Sequence, residues 1–142
     1  MNTSINRIKI TSIWFDRDHI YGVDENGHRY RQSLLWYPSL MEASDEQRNK
    51  FRFGFCGIHW PELDTDISFE SFTDTDAEPT PLQRFFLTHK EIKVSEFAKI
   101  VNIDATLLRN YINGFKKPSK EREQEILNGI HRLANQYAEA AF

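Results

Sequence analysis

The chain has 142 residues, of which 39% are hydrophobic and 27% charged, as in ordinary globular proteins. This length favours one domain but also accommodates two small ones. No apolar run approaches the roughly 20 residues that span a bilayer, and the N-terminal stretch MNTSINRIKITSIWF lacks the pattern of a signal peptide. The single cysteine, Cys56, excludes an internal disulfide and a cysteine-based metal site. We therefore expect a cytoplasmic protein.

The formal net charge of −3 conceals a difference between the two halves of the chain. Residues 1–80 carry 8 Lys and Arg against 14 Asp and Glu, whereas residues 81–142 carry 10 against 7. The first half is therefore a poor match for a polyanion. The second half is modestly basic and could bind one.

The first part of the chain predicts an antiparallel meander over residues 8–32. The runs RIKITSIWF, HIYGV and HRYRQ have the composition of strands, and an Asp-Arg-Asp turn separates the first two. Asp-Glu-Asn-Gly, residues 24–27, separates the second and third. Asn-Gly tolerates the positive φ of a tight hairpin turn, so this segment predicts a hairpin.

Two short helices and further extended segments follow the meander. Pro38 suits the first turn of a helix over SLMEA, and Ser44 with Gln47 matches a capping box. The run FRFGFCGIHW predicts a strand in which Cys56 is a buried, inert thiol, and PELDTDISFESF a short strand or helical turn. TDTDAEPTPLQ has the composition of a linker. We therefore place an α+β domain at residues 1–76 and a linker at 77–83.

Residues 84–142 have a helical period and predict an all-α domain of four helices. The third of these helices, DATLLRNYIN, has Asp104 as a candidate N-cap and an inward face of Leu107, Leu108 and Tyr111. Gly114 suits the end of this helix. The fourth has Ser119 as its cap, and its apolar stripe consists of Ile126, Ile130, Leu133 and Tyr137.

The second and third of these helices predict a helix-turn-helix that binds DNA. Ala98 is small enough for a close crossing, and Asn102 tolerates the left-handed conformation that the turn requires. The outward face of the third helix then carries small or hydrogen-bonding side chains, and two lysines follow it. The predicted DNA-binding residues are Ala105, Thr106, Arg109, Asn110, Asn113, Lys116 and Lys117.

This stretch, VSEFAKIVNIDATLLRNYINGFKKPS, resembles the helix-turn-helix of the Xre/Cro repressor family, which has the lambda-repressor-like fold. The matching positions are Phe97, Ala98, Asn102, Ile103, Asp104, Tyr111, Gly114, Pro118 and Ser119. The resemblance implies a recognition helix from Asp104 to Asn113, with Ala105, Thr106, Arg109 and Asn110 facing the bases. The chain departs from the family pattern at Lys93-Val94, where a Ser or Thr followed by Gln often binds phosphate.

The stretch GFCGIHWPELDTDIS places one imidazole and three carboxylates in eight residues: His59, Glu62, Asp64 and Asp66. These groups could bind a divalent ion or act in acid–base catalysis. We favour a structural role instead, in which Trp60 and Pro61 anchor the end of a strand, His59 caps backbone groups and the Asp residues form turns. We therefore predict no metal site, no cofactor and no catalytic residue.

The N-terminal half resembles domain-of-unknown-function family 2442, a small α+β fold. Pro38, Leu40, Ala43, Ser44 and Arg48 fit the first part of the family pattern. Its second part, Gly-Ile-x-Trp-Pro-x-Leu-Asp-x-Asp-Ile-Ser, is matched by Ile58, Trp60, Pro61, Leu63, Asp64, Asp66 and Ile67. The resemblance implies no activity, although members with an appended helix-turn-helix are known.

We interpret the chain as a two-domain transcriptional regulator that binds double-stranded DNA as a homodimer. The N-terminal domain would dimerise or bind an effector or a protein partner. The alternative is a non-enzymatic protein-interaction module, such as an antitoxin-like partner, and a third idea is that residues 54–68 bind a small ligand. No nucleophile elbow, phosphate-binding loop or H-E-x-x-H motif is present, so we do not predict an enzyme.

Overall fold

The computed structural model describes residues 7–74 and 78–142 of the chain. The chain divides into two compact units, Met1–Pro79 and Thr80–Phe142. The described residues form an α+β structure with two three-stranded antiparallel sheets and six α-helices. None of the described helices combines the length and the apolar composition that crossing a bilayer requires.

The first sheet is the predicted meander. Strands β1 (Ile10–Phe15), β2 (His19–Asp24) and β3 (Arg29–Ser33) lie in the order β1-β2-β3, and both pairs are antiparallel. Trp14 pairs with Tyr21, which in turn pairs with Arg31. Ile10 and Ile20 are buried on the other face, so the sheet has one apolar and one solvent face.

The hairpin between β2 and β3 is organised by Asp24. One oxygen of its carboxylate accepts hydrogen bonds from the backbone N–H of Asn26 at 2.8 Å and of His28 at 2.9 Å. The other accepts the Tyr30 hydroxyl at 2.9 Å. Gly27 has a φ of 85°, the left-handed conformation that the Asn-Gly pair predicts. Burial opposes ionisation of Asp24, but these hydrogen bonds outweigh it and lower the pKa of the carboxyl.

Two short helices connect the sheets. A 3₁₀ helix at Leu34–Trp36 precedes α1 (Pro38–Met41) and α2 (Asp45–Arg48). The capping box predicted for the second helix is confirmed. The Ser44 hydroxyl accepts the Gln47 N–H at 3.1 Å, and the Gln47 side chain accepts the Ser44 N–H at 2.9 Å.

The second sheet contains β4 (Arg52–Phe53), β5 (Gly57–Trp60) and β6 (Thr65–Ser68), again antiparallel and in chain order. Short 3₁₀ helices at Pro61–Leu63 and Glu70–Thr73 follow β5 and β6. The prediction of one strand over FRFGFCGIHW is therefore wrong. The Gly54 N–H bonds to the Gly57 carbonyl at 2.7 Å and reverses the chain. Cys56 lies in this turn and is exposed, not buried as predicted.

The core of the N-terminal unit lies under both sheets and includes Trp60, whose indole N–H bonds to the Arg48 carbonyl at 2.8 Å. Arg48 is itself buried. Its guanidinium donates to the carbonyls of Leu40 at 2.8 Å, Asp16 at 3.1 Å and Met41 at 3.2 Å. A single side chain thus ties the end of α1 to the turn after β1.

Four helices make up the described secondary structure of the C-terminal unit: α3 (Pro81–Thr88), α4 (Val94–Ile100), α5 (Ala105–Asn113) and α6 (Lys120–Ala138). Helix α3 begins inside the segment predicted as linker. Thr80 and Gln83 form a capping box there, and Pro81 occupies the first turn. Residue 77 of the predicted linker and residues 75–76 before it lie outside the described residues.

The core of this unit contains Phe86 from α3, Phe97 from α4, Leu108 from α5 and Ile126 from α6. Gly129 lets α6 approach α4, because a Cβ there would lie 2.2 Å from Val101 Cγ1. The predicted inward position of Tyr137 is wrong, since its side chain is 63% exposed. The buried residues of α6 are Ile126 and Gly129, so its last turns extend beyond the core.

Candidate nucleic-acid interface

A tight turn joins α4 to α5. Asn102 has a φ of 56°, which confirms the left-handed conformation predicted for it. The Ile103 N–H bonds to the Ala98 carbonyl at 2.9 Å and closes the turn. Ala98 and Ile103 are both buried. The turn therefore fixes the direction in which α5 leaves α4.

Helix α5 begins at its predicted cap. One carboxylate oxygen of Asp104 accepts the N–H of Thr106 at 2.8 Å and that of Leu107 at 3.3 Å. Two of the N–H groups that the first turn of a helix leaves free are thus satisfied. Leu108, Tyr111 and Ile112 are buried against the unit's core, and the burial of Ile112 was not predicted.

The predicted DNA-binding residues of α5 separate into two groups in the structure. Thr106, Arg109 and Asn113 are exposed on the face opposite the core. Ala105 and Asn110 are only partly exposed, and Ala105 packs against the core. The face that a ligand can reach is therefore narrower than the sequence pattern indicated.

The segment after α5 has a fixed backbone. Gly114 has a φ of 85° and terminates the helix, as predicted. The Lys116 N–H then bonds to the Asn110 carbonyl at 3.2 Å, and the Ser119 hydroxyl caps α6 by accepting the Arg122 N–H at 3.1 Å. Lys116 and Lys117 are held between these two anchors with exposed side chains. We call residues 114–119 the α5–α6 loop.

A buried amide supports the end of α5 from the other side. Gln83 of α3 donates a hydrogen bond from its side chain to the Tyr111 carbonyl at 3.2 Å. Gln83 is buried, so this bond is shielded from water. The end of α5 and the α5–α6 loop are thereby held at a defined position within the C-terminal unit.

The cations at this face have no carboxylate partner in the described part of the chain. Lys99 of α4 pairs with Glu96 at 3.0 Å, and Arg122 of α6 lies 3.9 Å from Glu125. In contrast, none of the ion pairs among residues 7–74 and 78–142 involves Arg109, Lys116 or Lys117. Their charges are thus available to an anionic ligand.

The acidic stretch of the N-terminal unit has a different arrangement. His59 and Asp66 are cross-strand partners on β5 and β6, and their side chains lie 2.6 Å apart. His59 thus contacts a carboxylate instead of capping backbone groups as predicted. Glu62 lies 3.7 Å from Lys50, and Asp64 adopts a left-handed turn. Over the described ranges, no three His, Cys, Asp or Glu side chains converge as metal ligands.

A cleft of about 460 Å³ opens at one end of the N-terminal unit. Phe55 and Cys56 line it together with Ser68, so it involves the stretch that the sequence suggested for a small ligand. The charges around it balance, since Arg7 and Lys9 face Glu25 and Glu70; the remaining lining residues are Ile8 and Phe69. Three residues of the stretch 54–68 therefore border this cleft.

Comparison with known proteins supports the N-terminal resemblance. Residues 10–78 match the family described as "Protein of unknown function (DUF2442)". The match ends before α3, and the family description states no activity. No curated protein matches the chain. A crystal structure described as "Putative DNA Binding Protein" from Nitrosomonas europaea covers 84% of this chain and 84% of its own, with 10% sequence identity and a TM-score of 0.35.

Proposed function

We propose that the protein is a DNA-binding transcriptional regulator in which α4, the turn at Asn102 and α5 act as a helix-turn-helix of the lambda-repressor-like type. The observation that supports this most directly is the exposed face of α5. It presents polar and cationic side chains without carboxylate partners, immediately after a tight left-handed turn. Exposed groups of this kind are the ones that contact base edges and phosphates.

In this proposal the two ends of α5 have different roles. The N-terminal part of a recognition helix lies deepest in the major groove, so Thr106 and Arg109 are the candidates for base contacts. A guanidinium can donate two hydrogen bonds to a guanine. Asn113, Lys116 and Lys117 lie at the far end, where phosphate contacts set the position of the helix without reading sequence.

One recognition helix seldom binds tightly alone, so the regulator would act as a homodimer. Two copies would contact half-sites separated by one helical turn, about 34 Å. The N-terminal unit carries net negative charge and is a poor DNA ligand. Its role in this proposal is to dimerise or to bind the effector or protein partner that controls DNA affinity, with the 460 Å³ cleft as the effector's site.

Fluorescence anisotropy with DNA from the region upstream of the protein's own gene tests this proposal. We expect saturable binding that weakens steeply with salt, and a loss of about tenfold in Arg109→Ala. Lys50→Ala is the matched control, because Lys50 is an exposed lysine of the N-terminal unit that pairs with Glu46 and Glu62. The proposal fails if the full chain does not bind, or if Arg109→Ala and Lys116→Ala both bind as wild type does.

One observation favours the alternative, a protein-interaction module. On the solvent face of the first sheet, Trp14 is 39% exposed and stacks on Tyr21 with ring centroids 5.7 Å apart. The guanidinium of Arg29 lies 5.8 Å from the Trp14 ring. Trp, Tyr and Arg dominate the energetically important positions of protein interfaces. A partner protein that copurifies with the chain, and is lost in Arg29→Ala without loss of folding, would support this function.

A further inference from the structure

Phe115, in the α5–α6 loop, exposes an apolar ring beside the candidate interface. Its side chain is 79% exposed, and no aromatic ring or cation of the described residues contacts it. Phe55, in the turn before β5, is also strongly exposed but differs because the guanidinium of Arg7 lies 5.7 Å from the centre of its ring. Leaving a Phe ring in water is unfavourable in proportion to the apolar area exposed.

The backbone on both sides of Phe115 is constrained. Gly114 precedes it in the left-handed conformation, and the Lys116 N–H after it bonds to the Asn110 carbonyl. Pro118 and the Ser119 cap then lead directly into α6. A ring presented by a constrained loop loses less conformational entropy on binding than a ring on a flexible segment.

In the proposed DNA-binding mode, Phe115 lies at the wall of the bound groove and not at its floor. Helix α5 has nine residues and is therefore about 13 Å long, comparable to the roughly 12 Å width of the major groove. If the start of α5 faces base edges, its end and the α5–α6 loop reach the sugar–phosphate backbone. Two exposed lysines, Lys116 and Lys117, directly follow Phe115 and match that backbone in charge.

We propose that the Phe115 ring packs against a deoxyribose of duplex DNA, between the phosphates that Lys116 and Lys117 contact. This inference rests on the proposed DNA-binding function and adds an apolar, sequence-independent contact to it. The C–H groups of the sugar supply the apolar surface that the ring lacks in the free protein. Lys116 and Lys117 supply the electrostatic attraction to phosphates, which weakens with salt. The apolar contact of Phe115 does not depend on salt in this way, so a salt series distinguishes the two.

The test is a salt series of anisotropy titrations with the full chain and a mixed-sequence duplex of about 24 base pairs. Phe115→Ala is expected to bind about fivefold more weakly at every salt concentration, with the slope of log K against log salt unchanged. Phe115→Leu keeps an apolar side chain and should retain part of the affinity. Lys116→Ala is the matched control, and its slope should fall in magnitude by about 1.

A second duplex, with deoxyuridine in place of thymidine, separates the sugar from the bases. It removes the thymine methyl groups and keeps every deoxyribose, so the fivefold difference between wild type and Phe115→Ala should persist. Disappearance of the difference on this duplex would show that Phe115 reads thymine, and would overturn the sugar contact. Equal binding by wild type and Phe115→Ala, with unchanged thermal unfolding, would overturn the inference alone. Failure of wild type to bind either duplex would instead remove the proposed function.

Discussion

The two compact units differ in what their charged side chains do. In the N-terminal unit, Arg48 is buried and makes three hydrogen bonds to backbone carbonyls, and Asp24 organises a hairpin. At the exposed face of the C-terminal unit, Arg109, Lys116 and Lys117 have no carboxylate partner among the described residues. Charges of the first kind stabilise the fold. Charges of the second kind contribute little to stability and are available for binding.

This difference has a physical consequence for mutation. A buried charged group that is removed leaves its partners without hydrogen bonds, and each unsatisfied partner costs free energy. An exposed, unpaired cation leaves nothing unsatisfied. Substitution of a buried charged residue in the N-terminal unit should therefore reduce stability. Substitution of an exposed cation in the C-terminal unit should reduce DNA binding and leave stability unchanged.

The largest effect is expected for Arg48→Met. The substitution removes the three hydrogen bonds that the guanidinium donates to the carbonyls of Leu40, Asp16 and Met41, at an expected loss of about 3 kcal/mol in the free energy of unfolding. Urea denaturation followed by tryptophan fluorescence measures it, because all three tryptophans lie in the N-terminal unit. Arg52→Met, at an exposed position, is the control and should change stability by less than about 0.5 kcal/mol. Equal effects in both variants would contradict the structural role of Arg48.

A somewhat smaller effect is expected for Gly129→Ala. The added Cβ would lie 2.2 Å from Val101 Cγ1 and 3.3 Å from Phe97, so either α6 or the Val101 side chain must shift. We expect a loss of about 2 kcal/mol, the usual range for overpacking. Thermal unfolding followed by circular dichroism at 222 nm measures it. The double variant Val101→Ala, Gly129→Ala has room for the new methyl group and should recover part of the loss.

Asp24→Asn should make stability less dependent on pH. The pKa of Asp24 is lower in the folded than in the unfolded chain, so its ionised form stabilises the fold above a pH of about 4. That contribution is lost as the pH falls through the folded-state pKa, because the unfolded state then binds the proton more readily. Urea midpoints between pH 7 and pH 3 should therefore converge for wild type and Asp24→Asn at the acidic end.

The control for this titration is Asp18→Asn, at an exposed position outside the hairpin. Its urea midpoints should follow those of wild type throughout. A constant difference between wild type and Asp24→Asn down to pH 3 would show that the Asp24 charge does not stabilise the hairpin.

The smallest effects on folding stability are expected for Arg109 and Lys116, whose substitution should weaken DNA binding. Arg109→Ala and Lys116→Ala should each change the free energy of unfolding by less than about 0.5 kcal/mol, since neither side chain has a described ion-pair partner. Thermal unfolding of both variants beside wild type checks this. A larger loss in either variant would mean that the α5 face has a structural role, and would weaken its assignment to DNA.

The sequence was most informative where a conformation depends on neighbouring residues. The hairpin at Asp24–Gly27, the capping box at Ser44, the cap at Asp104 and the left-handed residues Asn102 and Gly114 were all predicted correctly. Each depends on hydrogen bonds or φ preferences within a few residues. The outward position of Arg109 was predicted from the helical period, and Lys116 and Lys117 were chosen because they directly follow the helix.

The sequence was least informative where burial depends on distant segments. It did not indicate that Ala105 packs on the core or that the Phe115 side chain is 79% exposed. The exposure of Phe115 could nevertheless have been predicted. It directly follows the glycine that ends α5, so it belongs to the apolar stripe of neither α5 nor α6. Cys56 was assigned to a strand interior because the run around it alternates, whereas the chain turns there.

The sequence by itself determined the caps, the turns, the charge difference between the halves and the polar face of α5, because these follow from local chemistry and periodicity. Tertiary structure decided the burial of Arg48, the close approach at Gly129 and the exposure of Tyr137 and Phe115. These depend on which residues far apart in the chain come to lie together, and no local pattern specifies that.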